Sequence, residues 1–279
     1  MRRFLPMMLM STPLLAEVEK KPPVGVQVLL ISDHASIARG GSFRLGFQIH
    51  HEAGYHTYWQ NPGIAGVATD LAWQLPKGFT AGPIRWPYPE KTTMASYSIY
   101  GYERDVMLVT EITAPADLAG PSVTLKVGAT WMACAKGCYP GKEKLEITLP
   151  VADRAINDPT TASVFAKALA EIPAALDAWS VELLTAKDAE EVRLIVTPRG
   201  QQSPSPGELY FFSADGQISS EKPQPVISRP AGGYEMVLTR AEFSAKDKPS
   251  LPGVLKITGS LAGQSPSFVK IDPAYSVKP

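Results

Sequence analysis

Cysteine is almost absent from this chain: two occur in 279 residues, Cys134 and Cys138. Histidine is nearly as rare, with only His34, His50, His51 and His56. Neither sign of charge dominates. Lys plus Arg equals Asp plus Glu at 27 each, so the basic surplus that nucleic-acid binding demands is missing. Charged residues make up only 19%. No stretch stays apolar for the ~20 residues of a bilayer crossing, so the mature chain is expected to be soluble. No G-x-S-x-G elbow or H-E-x-x-H is present, which removes the common hydrolase signatures.

What is present is apolar and finely punctuated. Hydrophobic residues reach 44%, enough for real cores, and the length suits two domains better than one. The 26 prolines and 22 glycines are scattered, as in many short strands joined by turns. No short-period repeat occurs. Arg2 and Arg3 precede a mostly apolar run from Phe4 to Leu15, with Ala16 before a cleavage point. Pro6 and Pro13 interrupt it, and about 12 residues cannot cross a core needing ~20. Residues 1–16 therefore read as an export signal. In an exported chain a disulfide persists.

Alternation marks the strands. Val24 to Ile31 is apolar, and Phe43, Leu45, Phe47 and Ile49 share one face of Ser42–His50. Glu52 to Pro62 is aromatic-rich. Leu71, Trp73 and Leu75 alternate, Pro83 to Pro89 reads as a loop, and Asp105 to Thr113 as a strand. Val123, Leu125, Val127, Ala129 and Trp131 share one strand face. Leu145, Ile147 and Leu149 share another. The cysteines lie between these two strands, at the end of a predicted β-hairpin. Asn157-Asp158-Pro159 signals a helix start, and the helix pattern from Val164 stops at Pro173. Alternating segments return after Trp179, with turns at Asp215-Gly216 and Gly232-Gly233 that fit hairpins. The expected order is a signal over 1–16, a cysteine-bearing β domain over 17–152, a linker with a helix over 153–177, and a second β domain over 178–279.

Spacing and compartment leave the cysteine pair open between a staple and a redox role. A staple closing so short a loop contributes ~2 kcal/mol. A redox role needs reachable sulfurs and an easily opened ring, which a tight turn with Gly137 allows. The motif is C-x-x-x-C with no helix pattern behind it, so a helix N-terminus cannot tune the thiols. His50 and His51 are neighbours in a strand and point to opposite faces. No spacing enforces a metal site, and no cofactor is expected. His56 reads as a packed or surface histidine.

The segment Trp131-Met-Ala-Cys134-Ala-Lys-Gly-Cys138-Tyr139-Pro140 resembles the W-x-x-C-x-x-x-C-x-P segment of the N-terminal periplasmic domain of the thiol:disulfide interchange protein DsbD. It is most similar to the branch related to suppressor-of-copper-sensitivity proteins. Gly54-Tyr-His-Thr-Tyr-Trp59-Gln-Asn-Pro-Gly63, Trp73-Gln-Leu-Pro-Lys-Gly78, Ala81-Gly-Pro-Ile-Arg-Trp86-Pro and Tyr100-Gly-Tyr102-Glu agree in order and spacing. The second β domain resembles the same branch through Leu209-Tyr-Phe-Phe212 and Leu251-Pro-Gly-Val-Leu255. The resemblance implies an all-β chain of two immunoglobulin-like β-sandwich domains. It implies that Cys134 and Cys138 cycle between disulfide and dithiol in the periplasm, passing reducing equivalents to thiol–disulfide clients. A cap loop falls at Thr93 to Tyr97, with Met94 or Tyr97 as the lid residue. Tyr55 and Tyr58 match the aromatic segment near the cysteines, and Tyr139 adjoins Cys138. The family's membrane and thioredoxin-like domains have no counterpart here. The implied partners therefore include a separate membrane-embedded or thioredoxin-like electron donor.

Overall fold

The computed structural model describes residues 23–175, 179–186, 188–199, 207–230, 232–258 and 267–275. The segment read as an export signal lies outside the described residues. Among the described residues, twelve strands build the N-terminal part: β1 (Val26–Ser32), β2 (His34–Ala38), β3 (Ser42–His51), β4 (Thr57–Gly63), β5 (Asp70–Gln74), β6 (Thr80–Ala81), β7 (Glu90–Met94), β8 (Tyr97–Tyr102), β9 (Val106–Thr113), β10 (Ser122–Cys134), β11 (Cys138–Ala152) and β12 (Ile156–Asn157). They form two facing sheets, ordered β1-β3-β9-β6 and β12-β2-β11-β10-β5, and a third of order β4-β8-β7.

The two facing sheets close on their alternating apolar faces. Phe43, Leu45 and Ile112 of one meet Val123, Leu125 and Leu149 of the other. Nearer the cysteine end, the Phe47 and Trp131 rings lie 6.0 Å apart. Gly141 sits opposite Trp131 in the hairpin, and a Cβ there would lie 2.2 Å from the indole. Removing Trp131 would cost about 3–5 kcal/mol. The register of β10 and β11 runs unbroken from Ser122↔Pro150 to Cys134↔Cys138, so the cysteines face each other across its last rung.

The helix α1 (Ala162–Ala170) starts later than the Asn157-Asp158-Pro159 signal. Asp158 Oδ1 accepts from the Thr160 backbone N–H and hydroxyl, making a turn ahead of the helix. The N-cap is Thr161, whose hydroxyl donates to the Ser32 carbonyl at 2.8 Å. The helix packs Phe165 and Ala168 onto Met107 and Val109 of β9. It therefore lies against the first sandwich, within the stretch expected as a linker.

The C-terminal part has β13 (Ala174–Ala175), β14 (Trp179–Leu183), β15 (Glu191–Pro198), β16 (Leu209–Ser213), β17 (Val226–Ser228), β18 (Tyr234–Thr239), β19 (Gly253–Ile257) and β20 (Ser267–Ile271). Its sheets are β13-β20-β19-β16 and β14-β15-β18-β17. Val192, Leu194 and Val196 meet Phe211, Leu255 and Met236 in one core. The glycine pair before β18 joins a true hairpin with β17. The Asp215-Gly216 turn does not: β16 pairs with β19, and after the turn Ile218 bridges Arg240. A turn signal fixes a reversal, not the partner of the next strand.

The sandwiches share a buried seam. Trp59, Tyr100 and Tyr102 cluster with Phe212 and Val254. The Tyr88 ring, in the expected Pro-rich loop, stacks on Phe268 at 3.9 Å. Asn61 Nδ2 donates to the Ser213 carbonyl at 2.6 Å. Among the described residues, no helix is long and apolar enough to cross a membrane.

Candidate functional site

Cys134 and Cys138 form a disulfide across the end of the hairpin, enclosing the turn Ala135-Lys136-Gly137. The two sulfurs have unequal surroundings. Cys134 is fully buried, at 0% exposure, whereas Cys138 is exposed. The burial comes from residues remote in the chain: Tyr58 of β4 and Ile99 of β8 cover Cys134, with Met94, Met132 and Ala65 around them. Backbone bonds hold the end of β10 to the residue before β4. The His56 N–H donates to the Cys134 carbonyl at 2.9 Å, and the Cys134 N–H donates to the His56 carbonyl at 3.0 Å.

Tyr58 lies at the centre of the polar contacts. Its hydroxyl is 3.1 Å from Cys134 Sγ and 3.1 Å from Met94 Sδ. His56 Nε2 lies 3.3 Å from the same hydroxyl. The close approach of the Ile64–Val67 loop depends on Gly66, which has φ 113° and would put a Cβ 2.1 Å from the Tyr58 ring. Burial raises the Tyr58 hydroxyl above its usual range. Burial also lowers the His56 imidazole below 6.5, with Glu103 opposing, which favours its neutral form near pH 7.

The cap is a tight β-hairpin. Met94 ends β7, Tyr97 begins β8, and Ala95-Ser96 makes the turn. Ala95 takes φ 54°, the left-handed region that a side chain disfavours by ~1–2 kcal/mol. Met94 Sδ lies 3.7 Å from Cys138 Sγ. Met94 therefore touches the exposed sulfur and the tyrosine that covers the buried one. Tyr97 is 46% exposed at the rim. Of the two lid candidates, Met94 is the one on the sulfurs. Tyr55 packs on Tyr139, with ring centroids 6.3 Å apart, and Tyr139 is itself 43% exposed beside Cys138. Both flank the pair instead of bonding its sulfurs.

The second sandwich reaches the back of this site. Ser220 Oγ donates to the Ser98 carbonyl of β8 at 2.7 Å and accepts from the Ile64 N–H at 3.2 Å. The Tyr100 and Tyr210 hydroxyls lie 3.2 Å apart. Strand β8 thus shows Ile99 to the disulfide and Tyr100 to the second sandwich. Among the described residues, no three or more His, Cys, Asp or Glu side chains are grouped to hold a metal ion. His50 Nδ1 meets Asp105 at 2.8 Å and His51 Nε2 meets Thr57 at 2.9 Å, consistent with their opposite faces.

Sequence reasoning read His56 as a packed or surface histidine without linking it to Tyr58, and it missed Ser220. For His56 one signal existed: it stands two residues before Tyr58, the spacing of one strand face. For Ser220 there was none, because its partners lie more than a hundred residues away.

The model for the family "Thiol:disulfide interchange protein DsbD, N-terminal" matches residues 27–150. The first sandwich is a DsbD N-terminal-like domain. That domain family supports a thiol–disulfide exchange module. The fold of the chain is similar to the N-terminal periplasmic domain of ScsB from Proteus mirabilis, with a TM-score of 0.61 and 14% identity, covering 94% of this chain and 97% of that one. A protein of unknown function from Porphyromonas gingivalis W83 aligns at 8% identity over 88% of this chain and 99% of its own, but its TM-score is 0.24. No curated protein matches the sequence.

Proposed function

We propose that the chain is a periplasmic thiol–disulfide exchange module in which Cys138 faces the partner and Cys134 is the resolving sulfur. The observation that carries this reading is the unequal burial of one disulfide. Cys138 is exposed with Met94 Sδ 3.7 Å from its sulfur, while Cys134 is closed in beneath Tyr58. A staple needs no such asymmetry.

In the accepting direction, Met94 swings off and a partner thiolate attacks Cys138 Sγ in line with the S–S bond. That bond breaks and its electron pair moves onto Cys134 Sγ. The Tyr58 hydroxyl, 3.1 Å away, stabilises the developing charge by donating a hydrogen bond. A second partner thiolate then attacks its own sulfur in the mixed disulfide. Cys138 leaves as a thiolate, and the partner departs oxidised. Run backwards, the same steps reduce a client disulfide. The donor is a membrane-embedded or thioredoxin-like protein, and the clients are periplasmic disulfide proteins. The chain's own residues supply no electrons beyond the cysteine pair.

The test is a redox titration of the purified chain followed by exchange with a reduced thioredoxin-like protein. Exchange at stoichiometric partner, with a potential above about −300 mV, supports the reading. A disulfide that resists reduction to well below that range and never exchanges would make it a staple.

A further inference from the structure

We infer that His56 is the base that, through the Tyr58 hydroxyl, removes the proton from Cys134 when this buried thiol closes the disulfide. The inference rests on the exchange reading above and extends it to a residue outside the cysteine motif.

The need for a base follows from burial. Only a thiolate attacks a disulfide, and Cys134 is 0% exposed. A buried thiol ionises less readily than a free one, and it cannot hand its proton directly to bulk water. Two polar groups among the described residues lie in line from the sulfur. Tyr58 Oη lies 3.1 Å from Cys134 Sγ, and His56 Nε2 lies 3.3 Å from Tyr58 Oη. The chain sulfur–hydroxyl–imidazole is unbroken. The paired backbone bonds between His56 and Cys134 fix its two ends relative to each other. The rings of His56 and Tyr58 meet edge to face, 5.2 Å apart at 81°.

The direction of the bonds changes with redox state. In the disulfide, Cys134 has no proton, and Tyr58 donates its single hydrogen to a sulfur. In the dithiol, the Cys134 S–H donates to Tyr58 Oη, and the Tyr58 O–H donates to Nε2 of the neutral His56 ring, which carries its proton on Nδ1. Tyr58 ionises with difficulty because it is buried, so the two protons move together and no tyrosinate stands between them. Among the described residues, Glu103, His51 and Tyr58 are titratable groups that act on or touch His56. Glu103, beyond β8, favours the imidazolium that forms. His51, on β3, is held down to about 4 by burial and stays neutral, so it adds no positive charge. The third is Tyr58 itself.

Cys138 has attacked a client disulfide and holds one client sulfur. Cys134 gives its proton to Tyr58 as Tyr58 gives its own to His56. The Cys134 electron pair attacks Cys138 Sγ, the Cys138–client bond breaks, and the client sulfur leaves with the electron pair and takes a proton from solvent. Cys134 and Cys138 are oxidised together, and the client is reduced.

The test uses the reduced full chain and excess oxidised glutathione, quenched in acid over a range of pH, with the glutathione adduct on Cys138 followed by mass. In the wild type the adduct should close at a rate that rises through a pKa below 6.5 and then levels off. In His56→Gln and in Tyr58→Phe the adduct should last ~10²-fold longer near neutral pH. Its closure should then climb only with thiol ionisation, at or above about 8.5. Tyr58→Phe keeps the ring and its packing, and loss of the inflection below 6.5 from its closure profile decides the matter if His56→Gln does not fold. Adduct lifetimes and pH profiles equal to wild type in the folded variants would overturn the role of His56. A wild type that forms no adduct, or never closes it, would instead overturn the exchange reading itself.

Discussion

The two sandwiches use buried polar groups in opposite ways. In the second, Gln217 Oε1 accepts from Tyr275 at 2.9 Å and from Arg240 at 3.2 Å, and Gln217 Nε2 donates to the Ser250 carbonyl. These groups satisfy one another, and that half of the chain has no cysteine or histidine. In the first, Tyr58 and His56 lie against a bond that can break. The difference does not come from the sandwich itself. It comes from the additional sheet β4-β8-β7, which lies over the turn end of the β10–β11 hairpin and hides one sulfur of two. Architecture supplies the support, and a local addition supplies the chemistry.

Substitutions can break or sharpen that contrast. The largest effect is expected for Cys138→Ser, which should abolish exchange with a thioredoxin-like partner in a stopped-flow assay while leaving the fold intact. Phe211→Ala, in the second core, should leave the disulfide chemistry present in every folded molecule. Next is Trp59→Ala at the seam. It removes a fully buried indole packed on Tyr100 and Phe212, and should cost about 3–5 kcal/mol in denaturant unfolding.

Acid should separate the halves by a smaller amount. Burial lowers His51 from 6.5 to about 4, against the opposing pull of Asp105. Between those values the unfolded chain binds the proton and the folded one does not. Stability is therefore full above 6.5 and falls as pH drops towards 4, by on the order of 2–3 kcal/mol after allowing for partial exposure. His51→Asn should flatten this dependence in denaturant unfolding measured across that range.

Ser220→Ala tests whether the second sandwich steadies the cap. It leaves the Ile64 N–H without its acceptor and should cost about 1–2 kcal/mol. Amide exchange over Thr93–Ser98 should quicken. The smallest effect is expected at Ala95→Gly, which relieves the left-handed alanine and should stabilise the protein by up to about 1 kcal/mol in thermal unfolding.

Much of the frame was legible in the sequence because it rests on local alternation. Val123 to Trp131 and Leu145 to Leu149 announced the hairpin, and the cysteines fell on its closing rung. The two-sandwich order followed from the same patterning and from the family resemblance. The β4-β8-β7 sheet was not legible by periodicity. Its strands are short, Glu90–Met94 is largely polar, and the aromatic run Tyr55 to Trp59 points to two different neighbours. Met94 was placed by resemblance alone. The unequal burial of the cysteines was invisible, since Tyr58 and Ile99 cover Cys134 from distant positions in the chain. Residue type could not place the His56 imidazole against the Tyr58 hydroxyl; that required their distance.

The most direct measurement compares two single-cysteine chains, Cys134→Ser and Cys138→Ser, reacting with a chromogenic aromatic disulfide at neutral pH. The chain retaining Cys138 should react at least about tenfold faster than the chain retaining Cys134, because attack requires an accessible thiolate. Equal rates, or a faster Cys134, would contradict the assignment of an exposed partner-facing sulfur and a buried resolving one.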